Sequence, residues 1–413
     1  MKISELNDKK IVILGFGVEG QATLRFLKHH FPEKEIGIAD IKDGPDYLEK
    51  LKEYDLVIKT AGIPKRVINQ PYTTATNIFF ANTKGKIIGI TGSKGKSTTA
   101  SLVYDILKAA GFDVKLVGNI GTPMLDELLM PEPKGRLYVC ELSSYQLEDL
   151  NYSPHISVFI NFFPDHLDYH SGLEPYWQAK KNILSYATSK DYFVYDPQYE
   201  RLAALAKETK ARAIPFVETL PFSPNAIPLL GEHNVLNVRA AATVARIFNV
   251  KNKDMAKAVR AFKSLPHRLE KVGVFRGITF YDDAISTTPE STTAALEALP
   301  QVGTLFLGGT DRRYNFDALA LKILEKNIAN IVLFPESGAR IRDSIQKIAA
   351  EKGREMSKIL ETDDMKKAIA FAYANTPTQS ICLLSTASPS YSLWKNFEEK
   401  GDLFQRFVKE GAR

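Results

Sequence analysis

The sequence predicts an α/β fold in three domains, and three observations carry that expectation. Short apolar runs of strand length alternate with helix-compatible stretches, the pattern of mostly parallel sheets. Glycine-rich turns at residues 15–20 and 92–97 each stand between such a run and a helical stretch. The chain has 413 residues, more than the roughly 250 to 300 at which a single core stops growing.

Composition narrows the function. Hydrophobic residues make up 44% and charged residues 25%, ordinary for a globular protein. No apolar run approaches the roughly 18 residues of a membrane span, so no membrane partner is expected. The net charge of +6 is small for this length and spread along the chain, which suits anionic small molecules and gives no case for nucleic acid. Cys140 and Cys382 lie far apart in apolar runs; buried free thiols in a reducing cytoplasm are expected. The opening "MKISELNDKKIVILGFG" shows no small-residue cleavage site, and no signal peptide is read there.

The first domain is expected over residues 1–85. "KKIVILGFGVEGQATLRFLKHH" reads as strand, glycine turn, helix, and "EIGIAD" as a second strand ending in Asp40. Gly15, Gly17 and Gly20 then match G-x-G-x-x-G, with an acidic residue 20 to 25 positions on, the Rossmann-like arrangement for a nucleotide. A purely structural turn is the alternative. "DLVIKTAGIP" is a further strand closing in a Gly/Pro turn, and "NTKGK" is a linker.

The second domain, residues 86–268, opens with a strand at Lys86–Ile90 and the stretch "TGSKGKST", Thr91 to Thr98. Its spacing departs from G-x-x-x-x-G-K-[ST] only at the first position, where Ile90 stands. Glycines let backbone N–H groups converge on an anion, and a helix from Thr98 to Ala110 aims its N-terminus there. ATP or GTP is the expected ligand of Gly92, Ser93, Lys94, Gly95, Lys96, Ser97 and Thr98, with Lys96 on the β and γ phosphates and Ser97 on Mg²⁺. Glu141 ends one apolar run; Asp165, His166, Asp168 and His170 follow another, at strand ends where such folds bind ligands. Capped turns and solvated acids are the plain alternative. Beside a nucleotide, metal ligands are the better reading.

The third domain, residues 269–413, repeats the α/β pattern. "GVFRGITFYDD" reads as a hairpin, "GTLFLGG", "NIVLF" and "ICLLSTASPS" as strands or strand ends between helices, and an amphipathic helix closes the chain.

With these motifs in order, the sequence resembles the Mur ligases, and among them the branch that adds glutamate. Thr91–Thr98 match T-G-[TS]-x-G-K-[ST]-T, Glu141–Glu148 match E-L-S-S-[FY]-Q-L-E, Asp165–Asp168 match D-H-[ML]-D and Leu265–Glu270 match L-P-H-R-x-E. "GEHNVLNVRAA" is similar to G-x-H-N-x-x-N-x-x-A-A, and "KNFEEKGDLF" to K-N-F-E-x-R-G-x-x-F.

The resemblance implies a cytoplasmic, monomeric enzyme that spends ATP to join D-glutamate to UDP-N-acetylmuramoyl-L-alanine. It implies a Rossmann-like first domain for the uridine end, a central P-loop domain for ATP and a Rossmann-like third domain for glutamate. Glu141, His166 and Ser97 would hold magnesium, most simply two ions. Lys180 matches a lysine carried as a carbamate, against the plain reading of a helix-surface lysine beside Lys181. Asn119 and His166 match positions that meet the muramoyl-alanine part; Asn234, Asn237, Arg268 and Asp283 match residues around ATP. Thr287, Ser390 and Phe397 match positions that contact glutamate.

Two departures stand in the third domain. Where the D-glutamate branch commonly has N-D-S-K-A-T-N, Ile285 replaces the lysine, and Arg312 stands at the lysine of G-G-x-x-K. Arg312 is the candidate carboxylate partner, and an L-glutamate variant of the same ligase is the alternative. A folylpolyglutamate synthetase is a weaker alternative, since its typical chain lacks the separate N-terminal glycine-turn domain and "ELSSYQLE". A non-catalytic nucleotide-binding regulator has no need of Glu141, His166 and Lys180 together.

Overall fold

The structure, a computed structural model, describes residues 1–165, 167–223 and 227–412. It divides into two compact units, one of Met1–Ile227 with His233–Phe262, the other of Pro228–Glu232 with Lys263–Arg413.

Unit 1 holds two sheets. The first comprises β1 (Ile11–Leu14), β2 (Ile36–Ala39), β3 (Leu56–Lys59) and β4 (Tyr72–Thr74), in the order β2-β1-β3-β4. The second comprises β5 (Lys86–Thr91), β6 (Val114–Gly118), β7 (Leu137–Glu141), β8 (Ile156–Phe159), β9 (Tyr192–Tyr195) and β10 (Arg212–Pro215), in the order β10-β9-β8-β5-β7-β6. Every pairing in both is parallel. That explains why β1, β3 and β7 are buried along their whole length: crossover helices cover both faces.

Unit 2 holds the third sheet: β11 (Glu270–Phe275), β12 (Ile278–Asp282), β13 (Val302–Gly308), β14 (Asn330–Phe334), β15 (Lys358–Glu361) and β16 (Ile381–Leu384), ordered β11-β12-β16-β13-β14-β15. The expected hairpin is the antiparallel pair β11–β12; the remaining pairings are parallel. Alternate residues feed opposite faces, as strand geometry requires: Leu305, Leu307 and Leu333 pack into one cluster, Phe306, Val332 and Phe334 into another.

A single apolar cluster runs through both sheets of unit 1. It joins Ile13, Phe26, Ile58 and Phe79 to Ile87, Tyr138, Leu147 and Phe159. Phe79 meets Tyr138 edge to face at 5.0 Å. Polar ties reinforce it. Arg25 grips Asp126 through Nε (3.0 Å) and a terminal nitrogen (2.6 Å), and buried Lys59 stands 2.7 Å from Asp149, a charge contact without hydrogen-bond alignment. Lys59 Nζ instead donates to the Ile63 carbonyl, while Tyr72 donates its hydroxyl proton to Asp149.

Cys140 and Cys382 are free and buried, as expected. Among the described residues no helix is long and apolar enough to cross a membrane.

Candidate active site

The phosphate loop follows β5. Gly92 and Gly95 take φ of +157° and +82°, the latter a left-handed conformation that glycine adopts without strain. The helix is Lys96–Ala109, starting two residues before the expected Thr98, so the Lys96 and Ser97 side chains leave from its first turn. Lys96 Nζ donates to the carbonyls of Gly92 and Ser93, 3.0 Å each.

Neighbours brace the loop. Asn161 clamps Lys94, accepting from its N–H (3.0 Å) and donating to its carbonyl (3.1 Å). Ser93 Oγ donates to the Phe163 carbonyl at 2.8 Å and accepts from the Tyr176 hydroxyl at 3.2 Å. Asn237 stands against the loop: a Cβ on Gly95 would lie 2.4 Å from its Oδ1, which also accepts from Thr99 at 3.1 Å. Its Nδ2 donates to Asn234 Oδ1 at 3.0 Å. Both asparagines are buried on the helix Glu232–Ile247, so their visible work is to shape the loop. Asn161 and Tyr176 were not among the residues read from the sequence; neither lies in a phosphate-loop pattern.

The carboxylate and the lysine flank the loop. Parallel register places Glu141 beside Ile90 on β5 and Gly118 on β6. It is 4% exposed, and its Oε2 is buried with no hydrogen-bond partner among the described residues. A buried carboxylate oxygen left unpaired is costly, and a cation relieves that cost. Lys180 is 1% exposed, which removes the surface-lysine reading. Its Nζ donates to the Gly92 carbonyl at 2.8 Å and lies 4.9 Å from the centre of the Tyr176 ring. Burial, with the Lys96 charge nearby, holds Lys180 well below the ordinary lysine range against the pull of Asp165 and Glu141. Asp165 pairs with Lys94 at 3.2 Å. His166 lies outside the described residues.

The glycine turn follows β1. Gly15 has φ +88° and a Cβ there would lie 2.2 Å from Thr60 Oγ1; a Cβ on Gly20 would lie 2.2 Å from the Gly15 carbonyl oxygen. A Cβ on Gly17 meets nothing within 4 Å. Two glycines thus serve the turn, and the middle one leaves room beside the backbone. Asp40, after β2, accepts from the Phe16 N–H at 2.6 Å and from Lys42 N–H at 3.1 Å, and these bonds hold its carboxyl below the usual range. A cavity of about 290 Å³ begins beside this turn; Val18 and Glu19 line one side, Gly118, Asn119 and Gln146 the other.

In unit 2, the candidate residues gather at the C-terminal ends of three adjacent strands. Thr287 follows β12, Arg312 follows β13, and Ser390 follows β16, which lies between them. Arg312 is exposed. The N–H of Thr310 donates to the Pro389 carbonyl at 2.8 Å, tying two of these loops together. Ser390 Oγ and Thr310 Oγ1 are buried with no hydrogen-bond partner among the described residues. Thr310 had no sequence signal. Phe397 opens the helix Phe397–Gly411 and meets the His267 ring edge-on at 6.1 Å. Asp283 is buried, accepts from Leu269 N–H (3.2 Å) and Ser385 Oγ (2.8 Å), and is pushed up to about 6 by burial. Arg268 follows His267, whose Nδ1 is 2.7 Å from Asp282.

Mostly parallel sheets with a phosphate loop after an inner strand and side chains collected at strand ends define a nucleotide-using α/β enzyme architecture. Residues 90–226 match the Mur ligase middle domain, and residues 267–388 match the glutamate ligase domain of Mur ligases. A UDP-N-acetylmuramoyl-L-alanine–L-glutamate ligase of Salinispora tropica is 31% identical with full coverage of both chains. A UDP-N-acetylmuramoylalanine–D-glutamate ligase of Streptococcus pyogenes is 33% identical over 97% of each. The MurF ligase of Thermotoga maritima, solved with ADP, shares the fold with a TM-score of 0.64 at 15% identity, covering 100% of this chain and 98% of its own. The chain belongs to the Mur ligase family.

Proposed function

We propose that this chain is an ATP-dependent amide ligase of peptidoglycan synthesis that adds D-glutamate to UDP-N-acetylmuramoyl-L-alanine through an acyl phosphate. The observation that carries the reading is the convergence on one phosphate loop of Lys96, Ser97, the unpartnered Glu141 oxygen and buried Lys180. Full-length likeness to muramoylalanine–glutamate ligases supports the choice of substrates.

A carboxylate does not condense with an amine at neutral pH, because its oxygen leaves poorly. Attack of that oxygen on the γ-phosphorus forms the O–P bond and releases ADP; the amine then forms the C–N bond, loses a proton, and phosphate departs. Lys96 exchanges its two carbonyl partners for phosphate oxygens. Magnesium, when bound, supplies positive charge at the transferred phosphoryl group. Ser97, Glu141 and His166 are the residues to hold two ions, with Lys180 as a carbamate. Burial lowers the Lys180 amine well below the ordinary lysine range and so favours its neutral form, and a neutral amine adds to carbon dioxide, forming an N–C bond and releasing one proton.

Residues 1–85 take the uridine end at Gly15, Gly17, Gly20 and Asp40. Asn119, in the lining of the adjoining cavity, meets the muramoyl-alanine part, a role the resemblance also gives His166. Residues 86–268 take ATP at Gly92–Thr98, Asn234 and Asn237, and Arg268 and Asp283 keep the ATP role the resemblance implies. Residues 269–413 take glutamate at Thr287, Arg312, Ser390 and Phe397. The working form is a cytoplasmic monomer.

A second reading, L-glutamate as the amino acid, is favoured by the Salinispora relative and by Ile285 and Arg312. Purified protein, free of racemase, is given ATP, Mg²⁺, the nucleotide substrate and each glutamate enantiomer in turn, with phosphate release and product mass as readouts. Product from D-glutamate supports the first reading. Product from L-glutamate alone replaces it, and Arg312→Lys then reports whether that side chain sets the preference.

A further inference from the structure

Unit 2 buries a lysine that the ligation chemistry leaves without a task. Lys400, on the helix Phe397–Gly411, is fully buried, and its Nζ donates to Thr386 Oγ1 at 2.6 Å. Thr386 stands just beyond β16 at a junction of three loops. Its hydroxyl donates to the Ser388 carbonyl at 3.0 Å, with the Ser286 carbonyl at 3.4 Å, and its own carbonyl accepts from Gly308 N–H at 2.9 Å. Ser286 precedes Thr287, Ser388 lies two residues before Ser390, and Gly308 begins the turn that leads to Arg312.

Fully desolvating an ammonium is unfavourable, and an apolar side chain would fill the same space without that cost. The motif has arginine here; a lysine replaces its planar fork with a compact charge that can lose its proton. We propose that Lys400 is a positioning residue for the amino-acid substrate: through Thr386 its buried amine fixes the three loops that carry Thr287, Ser390 and Arg312. The proposal rests on the glutamate-ligase reading.

A pH dependence follows. Burial lowers Lys400 to about 7, against the pull of Asp282 and Asp283. Those two carboxyls at the end of β12 face it, and His267 lies against the adjoining Gly401, where a Cβ would come 2.1 Å from Nδ1. Below about 7 the bond to Thr386 is charge-assisted, and above it an uncharged amine holds the same hydroxyl more weakly. Apparent affinity for glutamate therefore falls as pH rises through neutrality.

The test measures KM for glutamate and for ATP from about pH 6 to about pH 9 in the parent chain, Lys400→Arg, Lys400→Met and Thr386→Val. In the parent, glutamate KM is expected to rise roughly five- to tenfold more than in Lys400→Arg, which stays charged throughout, while ATP KM moves less than about twofold. Lys400→Met and Thr386→Val should show the high glutamate KM at every pH. An identical rise in Lys400→Arg overturns the proposal, as does a folded Thr386→Val with parental glutamate KM. Equal losses for ATP and glutamate in Lys400→Met assign Lys400 to packing alone and also overturn it. A parent chain that makes no product with either enantiomer removes the ligase reading, and this proposal with it.

Discussion

Lys96 donates to two loop carbonyls, which holds its charge over the loop where the proposed reaction brings phosphate oxygens. Lys96→Ala should therefore lower ATP turnover by at least ~100-fold in the presence of both other substrates. Near-parental turnover in a folded variant would remove the loop from the reaction. Lys180 should take up label from carbon-13 bicarbonate, giving a carbamate resonance that Lys180→Gln lacks; a bare ammonium in a metal-bound crystal would refute it. Asp283 gives a stability signature. Its folded value, about 6, lies above its ordinary 3.8, so its contribution is complete below 3.8 and is lost as pH rises to 6. Asp283→Asn should flatten the fall in melting temperature across that window, and an unchanged slope would place the titration elsewhere. The phosphate loop stood out by its glycine spacing and Glu141 by closing an apolar run, and the structure brings the two side by side through the β5–β7 pairing. Lys180 was legible only through resemblance. Its helical neighbours Tyr176, Trp177 and Ala179 are buried with it, whereas Lys181 reaches Glu208 at the surface, and nothing local distinguishes the two lysines. Thr310 was invisible, since its buried hydroxyl is set by a loop pairing with Pro389 far along the chain.

At the scale of elements, the turn after β1 offers a contrast within three glycines. Gly20→Ala forces a methyl against the Gly15 carbonyl and should cost roughly 1–3 kcal/mol, read by denaturant unfolding. Gly17→Ala meets no atom and should leave stability within ~0.5 kcal/mol while weakening uridine-nucleotide binding by calorimetry. Equal stability losses in both would contradict the division of roles. The sequence pattern located β1, β2, β3, β5, β7 and β8 because their apolar runs are bounded by turns. It singled out neither β10, "RAIP", nor β15, "KILE". Both sit at sheet edges, where half-exposed strands carry little apolar signal. The helix after the phosphate loop began two residues early because glycine, not a hydroxyl residue, precedes its first turn.

At the scale of the molecule, three sheets were expected and three are present, but the first two share a core within unit 1. Removing one member of a buried ion pair leaves a stranded charge, so Lys59→Ala should destabilise unit 1 by about 3–5 kcal/mol. Calorimetry should show both sheets of unit 1 melting in one transition, lowered together in that variant. Separate transitions would mean that the shared cluster does not couple them. The continuous cluster also bears on inheritance. A recombination event near residue 85 would hand a descendant the inner faces of Phe26, Ile58 and Phe79 without the Tyr138, Leu147 and Phe159 shaped to receive them. On the proposed reading of that turn and cavity as the uridine site, a new nucleotide-sugar preference is thus more readily reached by point changes there than by borrowing a whole amino-terminal cassette.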